Sequence, residues 1–292
     1  MANLLSIKRR MRTAQNVSKT TKAMQMIAAS KLKRAEDAAL SSRPYVEKLT
    51  VVSRDISKKV ESDSLIEYMK VSKGASGNLM IVIAPDKGLC GGLITNLARQ
   101  LLSFIKENKN NSHLTVGKKA SGIVRIIGGE STASFDFGTT LPSYDAVYPL
   151  MKIVDDYFLG RKVQNVYILN SNFNSVFSQT PTIHKLLPVK FELENLKVEE
   201  KEQKETGGQT LFEPNADELL PGLIRHYLEM RLYQSLLETY LSEQAARMLA
   251  MQNATDNAKD IIEELRLLYN KTRQEKITNE ILDISGGIYA PV

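Results

Sequence analysis

The chain has 292 residues, 42% of them hydrophobic and 25% charged, which suits an ordinary globular protein of one large or two modest domains and excludes a chain disordered throughout. No stretch approaches the roughly 18 uncharged apolar residues of a membrane-spanning helix. Lys8, Arg9, Arg10 and Arg12 crowd the start with no apolar run behind them, so neither direct membrane insertion nor a secretory leader is expected.

One cysteine, Cys90, and three scattered histidines, His113, His184 and His226, supply neither an intramolecular disulfide nor a Cys/His metal site. A reducing compartment, no metal and no cofactor are the expectation. The charge of +6 is unevenly spread. Residues 1–60 hold fourteen Lys and Arg against four Asp and Glu, residues 61–212 seventeen against sixteen, and residues 213–292 eight against thirteen. A basic arm suggests nucleic acid or an anionic surface, but the acidic end of the same chain offers an internal partner for much of that charge.

From Leu4 to Val60 there is no glycine and one proline, Pro44. Steps of three and four residues run through Leu4, Ile7, Met11, Ala14, Ser18, Thr21, Gln25 and Ala28 and continue to Val60, an a/d seam of eight heptads. The seam is apolar at its ends and small or polar in the middle, and Pro44 is expected to kink the helix. Residues 216–285 repeat the pattern through Leu237, Leu241, Gln244, Met248, Met251, Thr255, Ala258, Ile262, Leu265, Tyr269 and Thr272. Helices of this extent, roughly 85 and 105 Å at 1.5 Å per residue, cannot hide in a compact domain. An antiparallel pair with everything between inserted as a globular head is the economical arrangement.

The insert reads as α/β. Asn78–Pro85 is an apolar strand followed by a helix over Leu93–Lys106; His113–Val116 is a second strand with a short helix near Ser121–Ile127. Pro142–Leu159 reads as helix and Val163–Asn170 as strand. Thr182–Val189 pairs with that strand through a turn near Asn172–Ser178. The expected fold is therefore α/β: a long antiparallel two-helix coiled coil from both ends of the chain with an inserted Rossmann-like domain. Its expected bounds are 1–60 for the first helix, 75–198 for the insert, 199–212 for a linker and 213–287 for the second helix.

The sharpest local string, Asp86-Lys87-Gly88-Leu89-Cys90-Gly91-Gly92, lies at the carboxyl end of the first strand, where α/β folds bind ligands. It has neither Gly-x-Gly-x-x-Gly nor Lys-Ser/Thr after its last glycine, so a tight strand-to-helix turn is favoured over a phosphate loop. Cys90 reads as a buried structural thiol. Phe135–Gly138 and Ser171–Ser175 read as loops, and His226 with Glu229 as a surface pair. The basic stripe of the first helix has no interleaved aromatic before Tyr45, which removes base stacking; a solvated face or an acidic protein partner remains. On residues alone, a coiled-coil scaffold and a basic-helix nucleic-acid binder both stay open.

Three strings resemble the gamma subunit of F-type ATP synthases: Lys22-Ala23-Met24-Gln25-Met26-Ile27-Ala28-Ala29-Ser30-Lys31-Leu32, the turn Asp86–Gly92, and the stretch from Ser242 onward. The family signature ends in Gly-Ala where this chain has Gly287-Ile288. The resemblance implies a non-catalytic central-stalk rotor that couples proton flow to ATP synthesis or hydrolysis. Its implied partners are a ring of three alpha and three beta subunits, the epsilon subunit and the c-subunit rotor ring, with no nucleic acid. It implies a peripheral place on the cytoplasmic face of a bacterial membrane, or the matrix or stromal face in an organelle. It also assigns Arg273, Gln274 and Thr278, with Met24 beside them across the pair, to a catch on the beta subunits, Arg247 to bracing the shaft, and Phe212 with Glu213 to the rotor ring.

Overall fold

The computed structural model describes residues 4–57, 67–70, 74–108, 110–191, 213 and 215–288, with 284–288 as helical backbone. In chain order these form α1 (Leu4–Ser57), a 3-10 turn (Glu67–Met69), β1 (Asn78–Ile83), α2 (Leu93–Glu107), β2 (Asn111–Val116), α3 (Lys118–Ile126) and β3 (Ser131–Phe135). A 3-10 turn (Tyr144–Ala146), α4 (Val147–Phe158), β4 (Asn165–Ser175), β5 (Ser178–Leu187) and α5 (Ala216–Ile288) follow. The chain divides into two compact units: Met1–Ser30 with Arg247–Val292, and Lys31–Ala246. The expected linker at 199–212 lies outside the described residues.

In the first unit the heptad seam is visible in burial. Along α1, Leu4, Ile7, Met11, Ala14, Ser18, Thr21, Gln25 and Ala28 are buried or half-buried, while almost every residue between them is exposed. Along α5 the same holds for Met251, Thr255, Ala258, Ile262, Leu265, Tyr269 and Thr272. The Thr21 and Thr255 hydroxyls hydrogen-bond at 2.7 Å, which fixes the antiparallel register. Stepping outward from that pair sets Ser18 opposite Ala258, Ala14 opposite Ile262, Met11 opposite Leu265, Ile7 opposite Tyr269 and Leu4 opposite Thr272.

The second unit holds a five-stranded sheet of order β3-β2-β1-β4-β5, parallel except for the antiparallel edge strand β5. β1 is buried at every position, as a central parallel strand covered on both faces must be. On one face Met80, Val82, Ala84 and Leu169 pack with Leu97 and Leu101 of α2 and with Ala120, Ile123 and Val124 of α3. Residues 232–246 of α5 are nearly all buried, so this stretch is enclosed on every side. Asn215 caps α5 reciprocally: Glu218 N–H donates to Asn215 Oδ1 at 2.8 Å and Asn215 Nδ2 donates to Glu218 Oε1 at 2.9 Å.

Several sequence expectations need correction. β3 was not expected, because Ser131–Phe135 carries almost no apolar signal: it is an exposed edge strand held by backbone pairing to β2. Pro142 and Ser143 are outside the helix, which begins as a 3-10 turn at Tyr144 and becomes α4 only at Val147. Ser171–Ser175 is strand rather than loop; β4 and β5 extend to a two-residue turn at Val176 and Phe177. α1 runs through Pro44, whose side chain faces solvent, so water can satisfy the carbonyl that the missing N–H leaves free.

Candidate functional site

In an α/β sheet of this order the ligand crevice lies between the carboxyl ends of β1 and β4, where the connections turn in opposite directions. Here the chain fills it. Ser242 Oγ of α5 donates to the Ser171 carbonyl at 3.0 Å, and Ala246 packs with Cys90, Leu93 and Ile94 in an apolar cluster. Cys90 is 1% exposed, the buried structural thiol its sequence context suggests. Asp86, next to the crevice, accepts from backbone N–H groups of Lys118 at 2.8 Å and Phe137 at 3.3 Å through Oδ1, and of Gly138 at 2.8 Å through Oδ2. The glycine-rich turn is a joint between β1, α3 and the segment after β3.

A polar chain that sequence reading missed ties this unit together. Tyr68 donates to Asp155 Oδ1 at 2.7 Å, Arg225 Nη1 donates to Asp155 Oδ2 at 2.8 Å, and Arg225 Nε lies 3.2 Å from Glu229 Oε1. Tyr144 donates to Glu229 Oε2 at 2.8 Å, its hydroxyl lies 3.3 Å from His226 Nδ1, and Tyr45 meets His226 Nε2 at 2.7 Å. Seven residues from α1, α4, α5 and two 3-10 turns are thus continuous. Burial, reinforced by the Asp155 and Glu229 carboxylates, pushes Tyr68 and Tyr144 well above the ordinary phenol range, so both remain donors. His226 and Glu229 are therefore not a surface pair: Glu229 is 8% exposed. Their three-residue spacing was the only signal in the sequence, since the other partners come from distant segments.

In the first unit Arg273, Gln274 and Thr278 are exposed, beyond the last paired seam position at Thr272. Met24 is also exposed, but the register overturns its expected place beside them. It lies opposite the turn of α5 near Gln252, about 30 Å along the helix from Arg273 at 1.5 Å per residue. Arg247 is half-buried and stands opposite Ala29 in the same register. The expected neutralisation of the basic stripe by the acidic end of the chain is not seen among the described residues of the first unit. Among the described residues Lys8, Arg9, Arg10, Arg12, Lys19 and Lys22 form no ion pair, whereas α5 pairs its own charges, Lys259 with Asp256 at 2.9 Å and Lys276 with Glu280 at 3.6 Å. Glu213 is exposed, and Phe212 lies outside the described residues.

A self-closed pair of long helices, with an inserted sheet whose crevice its own helix occupies, defines a stalk-type subunit. The family model described as ATP synthase matches residues 3–290. The ATP synthase gamma chain of Dehalococcoides mccartyi is 40% identical over 294 residues, covering 99% of both chains, and that of Ruthia magnifica is 37% identical over 99% of this chain and all of its own. Among solved structures, a chain of the Euglena gracilis mitochondrial ATP synthase OSCP/F1/c-ring assembly shares the fold with a TM-score of 0.67 at 18% identity, over 99% of this chain and 97% of that one. A chain of the Tetrahymena thermophila central stalk and c-ring gives 0.59 at 24% identity, over 80% and 99%. The chain belongs to the ATP synthase gamma chain family. It is accordingly a rotor subunit of the central stalk, and catalysis resides elsewhere in the enzyme.

Proposed function

We propose that the helix pair of the first unit turns within a ring of three alpha and three beta subunits. The second unit bears on the c-subunit rotor ring and the epsilon subunit. Proton flow through the rotor ring is thereby coupled to ATP synthesis or hydrolysis, and the subunit stays peripheral to the membrane, on its cytoplasmic face in a bacterium or its matrix or stromal face in an organelle. Among the described residues no helix is long and apolar enough to cross a membrane. The observation that carries the reading is the closed seam of the first unit. It buries one stripe of each helix against the other and leaves outward both polar or cationic side chains and large apolar ones such as Met26, Ile27, Leu267 and Ile281, a mixed surface that can bias neighbours by contact without being locked to them.

Within this reading Arg273, Gln274 and Thr278 form the catch on the beta subunits, Met24 meets the ring at a separate level, and Arg247 braces the shaft between turns of α5. Phe212 and Glu213 meet the rotor ring. Unpaired cations along α1 suit acidic surfaces on the ring. Interfacial hydrogen bonds to charged groups are worth about 1.5 to 3 kcal/mol each, enough to separate rotational states ten-fold. Arg273→Leu and Gln274→Leu should therefore lower turnover and ATP-driven proton pumping in complexes of normal subunit stoichiometry. Because Met24 is distant from them, Met24→Lys should combine additively with either. Assembled variants with unchanged turnover and pumping would sink the catch.

A further inference from the structure

Outside the crevice and the tyrosine-linked chain, the second unit has a cleft of about 440 Å³ where β2 and β3 end and α4 begins, a volume within the range of small-ligand sites. The segment after β3 forms its rim and is held through its backbone. Phe137 and Gly138 donate their N–H groups to Asp86 at 3.3 and 2.8 Å, the Thr139 carbonyl accepts from Lys31 Nζ at 2.6 Å, and the Pro142 carbonyl accepts from the Tyr233 hydroxyl at 3.5 Å. A wall fixed in this way stands before any ligand arrives, which lowers the ordering cost of binding. Every lining residue and its neighbours in sequence are among the described residues. The apolar part of the wall is Phe135, Phe137, Leu141, Leu150 and Leu236, the last two and Phe137 buried. Asp136, exposed and between the two phenylalanines in sequence, is the one ionisable residue of the lining. Ser143, also in the lining, precedes the helical run yet makes no side-chain bond to it, so its hydroxyl oxygen can accept from a ligand.

We propose that this cleft binds a small organic ammonium ion, its charged head at Asp136 beside the Phe135 and Phe137 rings and its apolar body against Leu141, Leu150 and Leu236. Three features of the lining select that chemistry together. A carboxylate on the wall of a cleft with low-dielectric sides attracts a cation more strongly than it would on a flat, fully hydrated surface. Phenylalanine rings carry negative faces that favour an ammonium group at close range. Leucine side chains reward an apolar body, which excludes an inorganic cation as the best occupant. An anion of the same shape would meet repulsion at Asp136, and a neutral analogue would keep only the apolar contact. The cleft is separate from the Asp86–Gly92 turn, whose carboxylate is spent on the fold, and it lies within one compact unit of the chain, so the proposal does not rest on the rotor reading.

The test uses the full-length chain and three probes that share one ring and differ in charge: benzylammonium, benzyl alcohol and benzoate. Calorimetric titration at neutral pH should show saturable binding of benzylammonium, about ten-fold tighter than benzyl alcohol, the scale of a partly desolvated carboxylate and cation–π contact, with benzoate weaker than either. Asp136→Asn should bring benzylammonium down to the level of benzyl alcohol, and Ala146→Trp, at the exposed rim of the cleft, should abolish binding of both by filling it. Asp260→Asn, an exposed acid of the other unit, should change nothing. Unfolding temperatures of the variants within a few degrees of the parent's show that the chain still folds. No saturable binding of benzylammonium, equal binding of the three probes, a preference for the cation retained in Asp136→Asn, or parent-strength binding in Ala146→Trp would each overturn the proposal.

Discussion

The Asp86 carboxylate accepts three backbone N–H groups from α3 and from the segment after β3. Hydrogen bonds to a charged acceptor are worth about 1.5 to 3 kcal/mol, and a lost partner leaves donors to be resatisfied by water. Asp86 is half-buried, so Asp86→Ala should destabilise the chain by about 2 to 3 kcal/mol, within that range. Denaturant unfolding of the purified chain measures this; a change below about 0.5 kcal/mol, the level of an ordinary surface substitution, would contradict it. Beside Asp86, Gly117 has φ +99°, and a Cβ there would run into the Ala84 carbonyl oxygen, so glycine is required where β2 passes to α3 beneath the joint. The string Asp86–Gly92 was legible as a turn because its motif spacing fits no phosphate loop. What the carboxylate grips was not legible, since its three donors lie 32 to 52 residues away in sequence.

At the scale of elements, the long helices were the most readable part of the chain. Seam periodicity is a local property repeated many times, and each seam residue it marks in the first unit is buried or half-buried. The register between the helices was not readable, because either helix can slide by a heptad and keep its period. Within the first unit the Thr21–Thr255 contact at 2.7 Å fixes it, and that contact sets Met24 away from Arg273. The small and polar pairs at the middle of this seam contribute little burial, so they position rather than stabilise. A chain carrying Thr21→Cys and Thr255→Cys should form a disulfide under mild oxidation, and one carrying Met24→Cys and Arg273→Cys should not; the native Cys90 is buried and takes no part. Cross-linking in the second pair but not the first would overturn the register. In the insert, buried strands and amphipathic helices were legible from pattern, whereas β3 and the ends of β4 and β5 were not, because backbone pairing at a sheet edge leaves no apolar alternation to read.

For the whole molecule the charge distribution carries a consequence that the sequence arithmetic obscured. The basic beginning and acidic end of the chain suggest mutual neutralisation, yet within the first unit two acidic residues of α5, Asp256 and Glu280, pair with bases one turn away on the same helix. Cations of α1 are left facing outward, available to partners. In the second unit the polar chain from Tyr68 to Tyr45 links the insert to both α1 and α5, with Tyr68 and Glu229 buried and Tyr45 and Arg225 exposed. Such cross-bracing lets a turning force applied to the insert reach both helices rather than bend one of them. The central claim is that this chain rotates as a shaft relative to the ring around it. Ile126, 86% exposed at the end of α3, offers a place for a probe. With Ile126→Cys labelled and the alpha/beta ring immobilised, added ATP should drive the probe around in one direction with three equivalent dwells per turn, matching a ring of three-fold symmetry. A probe that stays fixed relative to the ring while the same complexes hydrolyse ATP would contradict the account.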